Sequence, residues 1–437
     1  MRSGERLTAV EASFIALEQP RLPMHVGALT LFESGRRPVT MPELRRHVAA
    51  RLGRVGSFHE ILRTSPAGWP EWVPSNRIRP SAHFFHHVLT PPGDESQVRR
   101  LCGEIHEDML DRNIPLWEVH LIDGISGGRQ GLLVKTHHAI TDGLAGMQIA
   151  QLLFDPAPGA ARPQPPVMRF AQLNTGQSIW SALQGLVGLA FNVAGGPLPV
   201  HGPFDGPGSG QRAFGMATLS LPAIKRIKRQ LGVRVDDVLT AMITAGLRRY
   251  LSDIEYPDTP RALRALLPVS TRGSVRAASP RNDVSAIFID LPMDIDDMPT
   301  LVCHIAEAKA TLRTAHATEG SAMAVQAAGL LPAPVHAALL RAVSGFRFAN
   351  LVLSDVPGPD QALFFLGRRI DACYPLMPLG RSVGLSIASV GMGDAIGVGL
   401  TADPMVVPDV QSIALAIEHA AKAFEGAVPR PARHRAA

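Results

Sequence analysis

The sequence predicts an α+β protein built in two parts with mixed sheets, and three observations carry that expectation. A chain of 437 residues is too long for one ordinary hydrophobic core and suits two domains of roughly 150 to 220 residues each. Its middle, from Asp155 to about Ala213, is rich in Pro and Gly in the stretches DPAPGAARPQPP and GGPLPVHGPFDGPGSG, the composition of a connection. On either side of it β-type runs are grouped and helices are clustered, rather than alternating as a doubly wound parallel sheet requires.

In the first part, Pro42–Leu52 and Gln97–Leu110 read as helices. The β-runs Trp117–Ile122 and Gly131–Thr136, joined by the turn DGISGGRQ, read as a hairpin. A helix is expected from about Asp142 to Leu153, with Thr141 or Asp142 as its N-cap. Within the connection, Ile179, Trp180, Leu183, Leu186, Val187, Ala190 and Phe191 recur at helical spacing and mark one amphipathic helix. It has no Lys or Arg on its polar side, which suits packing on the protein better than anchoring in a bilayer surface. The second part opens with helices near Pro222–Leu231 and Val235–Leu251, followed by strands near Leu263–Leu267 and Val284–Leu291. A helix over Thr300–Thr314 precedes β-runs near Phe348–Leu353, Phe364–Ala372, Val383–Ser389 and Ala395–Thr401, and a helix after Pro408 closes the chain. The expected division is therefore 1–155, a linker 156–213, a second part 214–428 and a basic tail 429–437.

Hydrophobic residues make up 46% of the chain and charged residues only 19%, which marks a well-buried globular protein. The formal charge of +5, from 43 basic and 38 acidic residues, is mild for this length and gives no sign of nucleic-acid binding. A modest attraction to anionic lipid or to a phosphate-bearing cofactor stays open. Cys102, Cys303 and Cys373 lie far apart with no zinc spacing, so free thiols in a reducing compartment are expected. No signal-peptide run precedes Glu11 and Glu18, and no apolar stretch reaches membrane-span length. A cytoplasmic location follows as the expectation, with peripheral attachment to the inner face of the membrane as a variant of it.

The chemistry concentrates in His137-His138-Ala139-Ile140-Thr141-Asp142-Gly143. Strand alternation places Leu132, Val134, Thr136 and His138 on one face, with Lys135 and His137 on the other. The two histidines therefore cannot readily serve one site, which argues against a metal held by His137, His138 and Asp142. His138 falls where the strand stops, and Gly143 permits close backbone approach beside it. A neutral imidazole, with a reference pKa of about 6.5, suits removal of a proton from an alcohol. Asp142 either orients that imidazole or pairs with an arginine and holds the loop.

Other signals are weaker. Gly124-Ile125-Ser126-Gly127-Gly128 matches the G-x-S-x-G string, yet a nucleophile elbow needs strand, turn and helix, whereas this turn runs into another strand. Lys225, Arg226, Lys228 and Arg229 read as a solvated basic helix face, with a phosphate or anionic-membrane contact as the functional alternative. His83, His86 and His87 lack metal-ligand partners and read as exposed imidazoles on a β-strand.

The motif HHAITDG resembles the HHxxxDG signature of the bacterial wax ester synthase/diacylglycerol acyltransferase family, a branch of the chloramphenicol acetyltransferase and condensation-domain superfamily. The likeness extends along nearly the whole chain. LTAVEASFIALEQPRLPMHVGALTLFE is similar to that family's opening, and LDRNIPLWEVHLIDG contains its Pro-Leu-Trp element as Pro115, Leu116 and Trp117. LLPVSTRG, RNDVSAIFIDLP with Asn282 and Asp283, SDVPGPDQALFFLGRRIDACYPLMPL and VGLTADPMVVPD follow in the family's order. Asp355 stands where many relatives have Asn, Arg281 where Gly is frequent, and Met109 where Pro is usual.

The resemblance implies two chloramphenicol-acetyltransferase-like subdomains with an active-site tunnel between them. It implies His138 as general base and Asp142 as its companion. Asn282 becomes a candidate oxyanion donor, directly or by holding the loop, and Asp283 its neighbour in a pair needed for activity. His137, Gly143 and Pro115–Trp117 serve as support or line the acyl path. The implied reaction moves a long acyl chain from acyl-CoA to diacylglycerol or a fatty alcohol, with no tightly bound cofactor and no metal. A weakly active, lipid-binding or lipid-droplet relative, or an enzyme for another alcohol, are the competing expectations.

Overall fold

The computed structural model describes residues 4–53, 55–66, 68–75, 78–141, 149–159, 201–270, 284–314, 329, 331–359 and 361–427. A capping box starts the first helix, α1 (Ala9–Leu17): Thr8 Oγ accepts the Glu11 N–H and the Glu11 carboxylate accepts the Thr8 N–H. Such a cap contributes about 1 kcal/mol. Strand β1 (Glu5–Arg6) precedes it, and β2 (His25–Glu33), α2 (Met41–Leu52), β3 (Glu60–Thr64) and β4 (Pro70–Pro74) follow. Next come the single turn α3 (Pro80–His83), β5 (Phe84–Val88), α4 (Glu95–Glu107), β6 (Trp117–Ile125) and β7 (Arg129–His137).

Strands β6 and β7 form the expected hairpin, and Gly127 and Gly128 in its turn take φ of 75° and 68°, the left-handed region that glycine tolerates best. Ser126 therefore lies between two antiparallel strands, which excludes a nucleophile elbow. The expected exposed trio of histidines is corrected in part. His83 is fully buried, its ring stacked on Trp117 at 4.1 Å, while His86 is exposed.

The second half runs β8 (Ala213–Ser220), α5 (Leu221–Leu231), α6 (Val235–Asp253), β9 (Ala262–Ser270), β10 (Val284–Pro292), α7 (Met298–Thr314) and α8 (Ala333–Val343). Then come β11 (Leu351–Val356), β12 (Phe364–Phe365), β13 (Arg368–Leu376), β14 (Leu385–Met392), β15 (Ala395–Ala402) and α9 (Val410–Ala427). The single run expected over Phe364–Ala372 is two strands, because Leu366 and Gly367 turn the chain with φ of 49° and 80°.

Two six-stranded mixed sheets result. One has the order β12-β13-β2-β7-β6-β5, with only β5 and β6 parallel. The other has the order β10-β9-β11-β14-β15-β8, with β11 parallel to both of its neighbours. A small sheet, β1-β4-β3, flanks the first. Strands β12 and β13 belong by sequence to the second half and by hydrogen bonding to the first sheet. At their passage the two sheets touch: a Cβ on Gly397 would collide with the Cys373 carbonyl oxygen, and one on Gly399 with that of Pro375. Only glycine lets the backbones approach so closely.

Each half has its own apolar core, and a third cluster joins them. In that third cluster Leu29, Leu31 and Leu133 of the first sheet meet Val98, Cys102 and Ile105 of α4 and Phe214 and Met216 of β8. Among the described residues, no helix is long and apolar enough to cross a membrane. The expected helix over Ile179–Phe191, the start of the helix at Asp142 and the basic tail lie outside the described residues.

Candidate active site

The end of β7 separates the two histidines as strand alternation demands. His137 is fully buried on the face turned toward the second half, in line with Lys135. His138 is half-buried on the opposite side, and its ring stacks on Phe14 of α1 at 3.9 Å with the planes 10° apart. Its backbone N–H donates to the Met24 carbonyl at 2.8 Å. The imidazole therefore projects from the end of an interior strand with its main chain anchored and one ring face covered.

The Pro-Leu-Trp element stands directly beside this strand end. Leu116 and Trp117 are buried, the Leu116 carbonyl accepts the His137 N–H at 3.0 Å, and Trp117 pairs with Thr136. Trp117 Nε1 donates to the Phe58 carbonyl, and its indole packs against Phe58, His83 and Phe84. Pro115 is buried as well. The geometry of Pro115, Leu116 and Trp117 is that of a brace for the histidine strand. Asp142, Gly143, Asn282 and Asp283 lie outside the described residues, as does Arg281. Asn282 and Asp283 immediately precede β10 in the chain. Asp355 sits near the end of β11 and accepts a 2.6 Å hydrogen bond from Ser389 on the neighbouring strand.

Beneath His137 lies a buried polar cluster that no local motif announced. Register sets it up: His25 on β2 pairs directly with His137 on β7, so their side chains share a face. Both rings approach the Glu18 carboxylate, with Nε2 atoms 3.3 Å (His25) and 3.1 Å (His137) from Oε1, at ion-pair distance. Arg112 donates to Oε2 through Nη2 at 2.7 Å and Nε at 3.1 Å, and the Met24 N–H donates to Oε1 at 3.2 Å. Burial opposes ionisation of Glu18, but His137, His25 and Arg112 more than offset it and hold the carboxyl well below its ordinary range.

Lys135 continues the polar face. Its ammonium donates to the Ile105 and Asp108 carbonyls at 2.7 and 2.6 Å and lies 3.3 Å from Glu118. These carbonyls close the C-terminal end of α4, where a cation is favoured. Burial lowers the lysine's pKa despite Glu118. His106, fully buried with Nε2 against the Met377 carbonyl, is pushed far below the usual imidazole range by desolvation. Among the described residues, no group of three or more His, Cys, Asp or Glu could hold a metal ion.

The comparisons with known proteins bear on this site. The catalytic-domain model of the wax ester synthase/diacylglycerol acyltransferase family matches residues 7–196, and the family's C-terminal domain model matches residues 281–425. The chain belongs to this family. A Mycobacterium tuberculosis protein named "probable diacyglycerol O-acyltransferase" is 28% identical over 452 residues, covering 96% of this chain and 98% of its own. The wax ester synthase/diacylglycerol acyltransferase of Marinobacter aquaeolei superposes with a TM-score of 0.74 at 24% identity, covering 97% of this chain and 99% of that one. The first condensation domain of the calcium-dependent antibiotic synthetase, solved with a substrate analogue, reaches 0.66 at 15% identity, covering 97% and 96%. These two likenesses establish the fold. Membership of the family makes the protein an acyltransferase.

Proposed function

We propose that this acyltransferase moves a long acyl chain from acyl-CoA to the hydroxyl of diacylglycerol, of a long-chain alcohol, or of both, with His138 as general base. The observation that supports this reading best is the placement of His138: a family-signature imidazole at a strand end, braced by Phe14 and Met24, with its twin turned away into the protein. His138 takes the proton of the acceptor alcohol as its oxygen attacks the thioester carbonyl. The tetrahedral intermediate then collapses, the C–S bond breaks, and the same imidazole returns the proton to the departing CoA thiolate. No covalent acyl-enzyme forms and no tightly bound cofactor takes part. Base catalysis of this kind supplies about 10² to 10⁴-fold. Asn282 is assigned the oxyanion, directly or by holding its loop, where one donor is worth about 10² to 10³-fold. Asp142 orients His138 or fastens the loop, with Gly143 and Asp283 beside these two positions. The substrates enter along a tunnel between the halves, and contact with a membrane or lipid-droplet surface would deliver them.

The relatives named for diacylglycerol O-acylation support triacylglycerol as a product, and the Marinobacter enzyme's name supports wax ester. The test is CoA release by the purified chain from palmitoyl-CoA, with diacylglycerol and with hexadecanol separately, beside His138→Ala. Acceptor-dependent release that falls by at least about 10²-fold in the variant is expected. Equal release by both proteins, or none with either acceptor, would sink the storage-lipid reading.

A further inference from the structure

We propose that Glu18 is a positioning residue that fixes His138 from both sides of its peptide, a role that rests on the reading of His138 as the base. The first tie runs through Met24, whose N–H donates to Glu18 Oε1 at 3.2 Å and whose carbonyl accepts the His138 N–H at 2.8 Å. The second runs through His137. Its Nδ1 accepts the Ala139 N–H at 3.0 Å, which places the ring proton on Nε2, 3.1 Å from the same Glu18 oxygen. The peptide groups on either side of the catalytic imidazole thus both lead to one carboxylate, by a hydrogen bond from Met24 and by the close approach of the His137 ring.

The ring is set from the same place. Glu18 caps the C-terminal end of α1 with its N–H on the Phe14 carbonyl at 3.1 Å, and Phe14 is the residue stacked on His138. One helix end therefore governs both the main chain and the ring plane of His138.

A purely structural part fits Glu18 poorly. Its side chain is 1% exposed, and taking a carboxylate out of water costs several kcal/mol that an apolar residue of similar volume would not incur. What an apolar residue cannot do is accept from Met24 and face the His137 proton at once. Arg112, partly exposed, balances the charge from the outer side. A displacement of about 1 Å at a catalytic group can cost as much as 10²-fold, which sets the scale on which such a clamp matters.

The experiment compares Glu18→Gln, His138→Ala and the double variant in the full chain, using CoA release from palmitoyl-CoA with the better acceptor, and thermal unfolding of each. Glu18→Gln is isosteric, and with its amide oxygen held by the two Arg112 donors it turns an NH2 toward the Met24 N–H and the His137 ring proton in place of an acceptor. It is expected to unfold cooperatively and to lose about 10- to 10²-fold in kcat. The KM for acyl-CoA should stay within about twofold, because binding surfaces are untouched. In the His138→Ala background the same change should cost nothing further, since a residue that acts only through His138 has nothing left to position. Unchanged kcat in Glu18→Gln, a loss that falls equally on KM, or a loss that persists in the double variant would each overturn the proposal. Full activity of His138→Ala would instead remove the base reading itself. If Glu18→Gln does not fold, His137→Asn makes the test: its amide oxygen still accepts from Ala139 while the reach to Glu18 is lost. A lower kcat, again absent in the His138→Ala background, is the expected result, and an unchanged kcat overturns the clamp.

Discussion

Strand β7 presents two faces whose chemistry differs as much as any two regions of the molecule. On one, Lys135 and His137 are buried among Glu118, Glu18, His25 and His106. On the other, Leu132 and Val134 pack into an apolar core, and His138 emerges half-buried beside Phe14. The difference shows where the molecule keeps its charge. Ionic groups are held inside, each with several partners, while the imidazole proposed for the chemistry stacks on Phe14 with its main chain fixed. An imidazole proposed to give and take a proton in each turnover is served by a rigid setting.

The largest effect expected from disturbing this contrast comes from Lys135→Met. Methionine matches the stem in volume but leaves the Ile105 and Asp108 carbonyls and the Glu118 carboxylate without their cation. Breaking a buried pair in this way costs about 3 to 5 kcal/mol. Denaturant unfolding should show that loss. A change below about 0.5 kcal/mol, the usual scale for an unremarkable surface position, would mean that the inner face does not depend on its charges.

Acid tests the buried histidines more gently. Burial holds His106 far below the usual imidazole range, lowers His83 and pushes His87 down to about 4. In the unfolded chain these rings take up protons near pH 6.5. Below that pH the unfolded state binds protons that the folded state refuses, so stability falls as pH falls. Glu18 extends the trend to lower pH. Its depressed carboxyl contributes stability above the unfolded value of 4.5, and that contribution is lost as pH drops below it. The thermal midpoint should therefore decline by at least about 5 °C between pH 7 and pH 5. A flat midpoint over that range would show that the buried rings charge without penalty.

Much of the histidine site was legible in the sequence, because its signals are local. The hairpin followed from two β-runs around a Gly-rich turn, and period-two alternation alone sent His137 and His138 to opposite faces. What could not be read was everything set by register or by long-range pairing. The segment His25–Glu33 stands out in the sequence only as part of a family-like opening, yet its pairing with β7 brings His25 to His137. Glu18 and Arg112 are far apart in the chain, and no spacing rule joins them. Strand β13 was recognisable as a β-run, but nothing in its composition says that it crosses to the first sheet. The cue that it does lies in Gly397 and Gly399, whose meaning appears only when the Cys373 and Pro375 carbonyls are seen against them.

The smallest expected effect sharpens the contrast from outside it. Ser126 sits in the turn at the far end of the same hairpin, its N–H on the Gly93 carbonyl and its own carbonyl accepting from Arg129 Nε. Both contacts are made by the backbone and survive Ser126→Ala. A serine hydrolase would place its nucleophile between a strand and a helix, with an adjacent base, whereas this serine joins β6 to β7 and stands at the end of β7 opposite His138. CoA release by Ser126→Ala should therefore match the parent within about twofold, and a fluorophosphonate probe should leave the chain unlabelled. Labelling that disappears in Ser126→Ala would overturn the assignment of this turn as structure and reopen the chemistry of the whole hairpin. Without it, the proposal of His138 at the other end of β7 stands unrivalled within the hairpin.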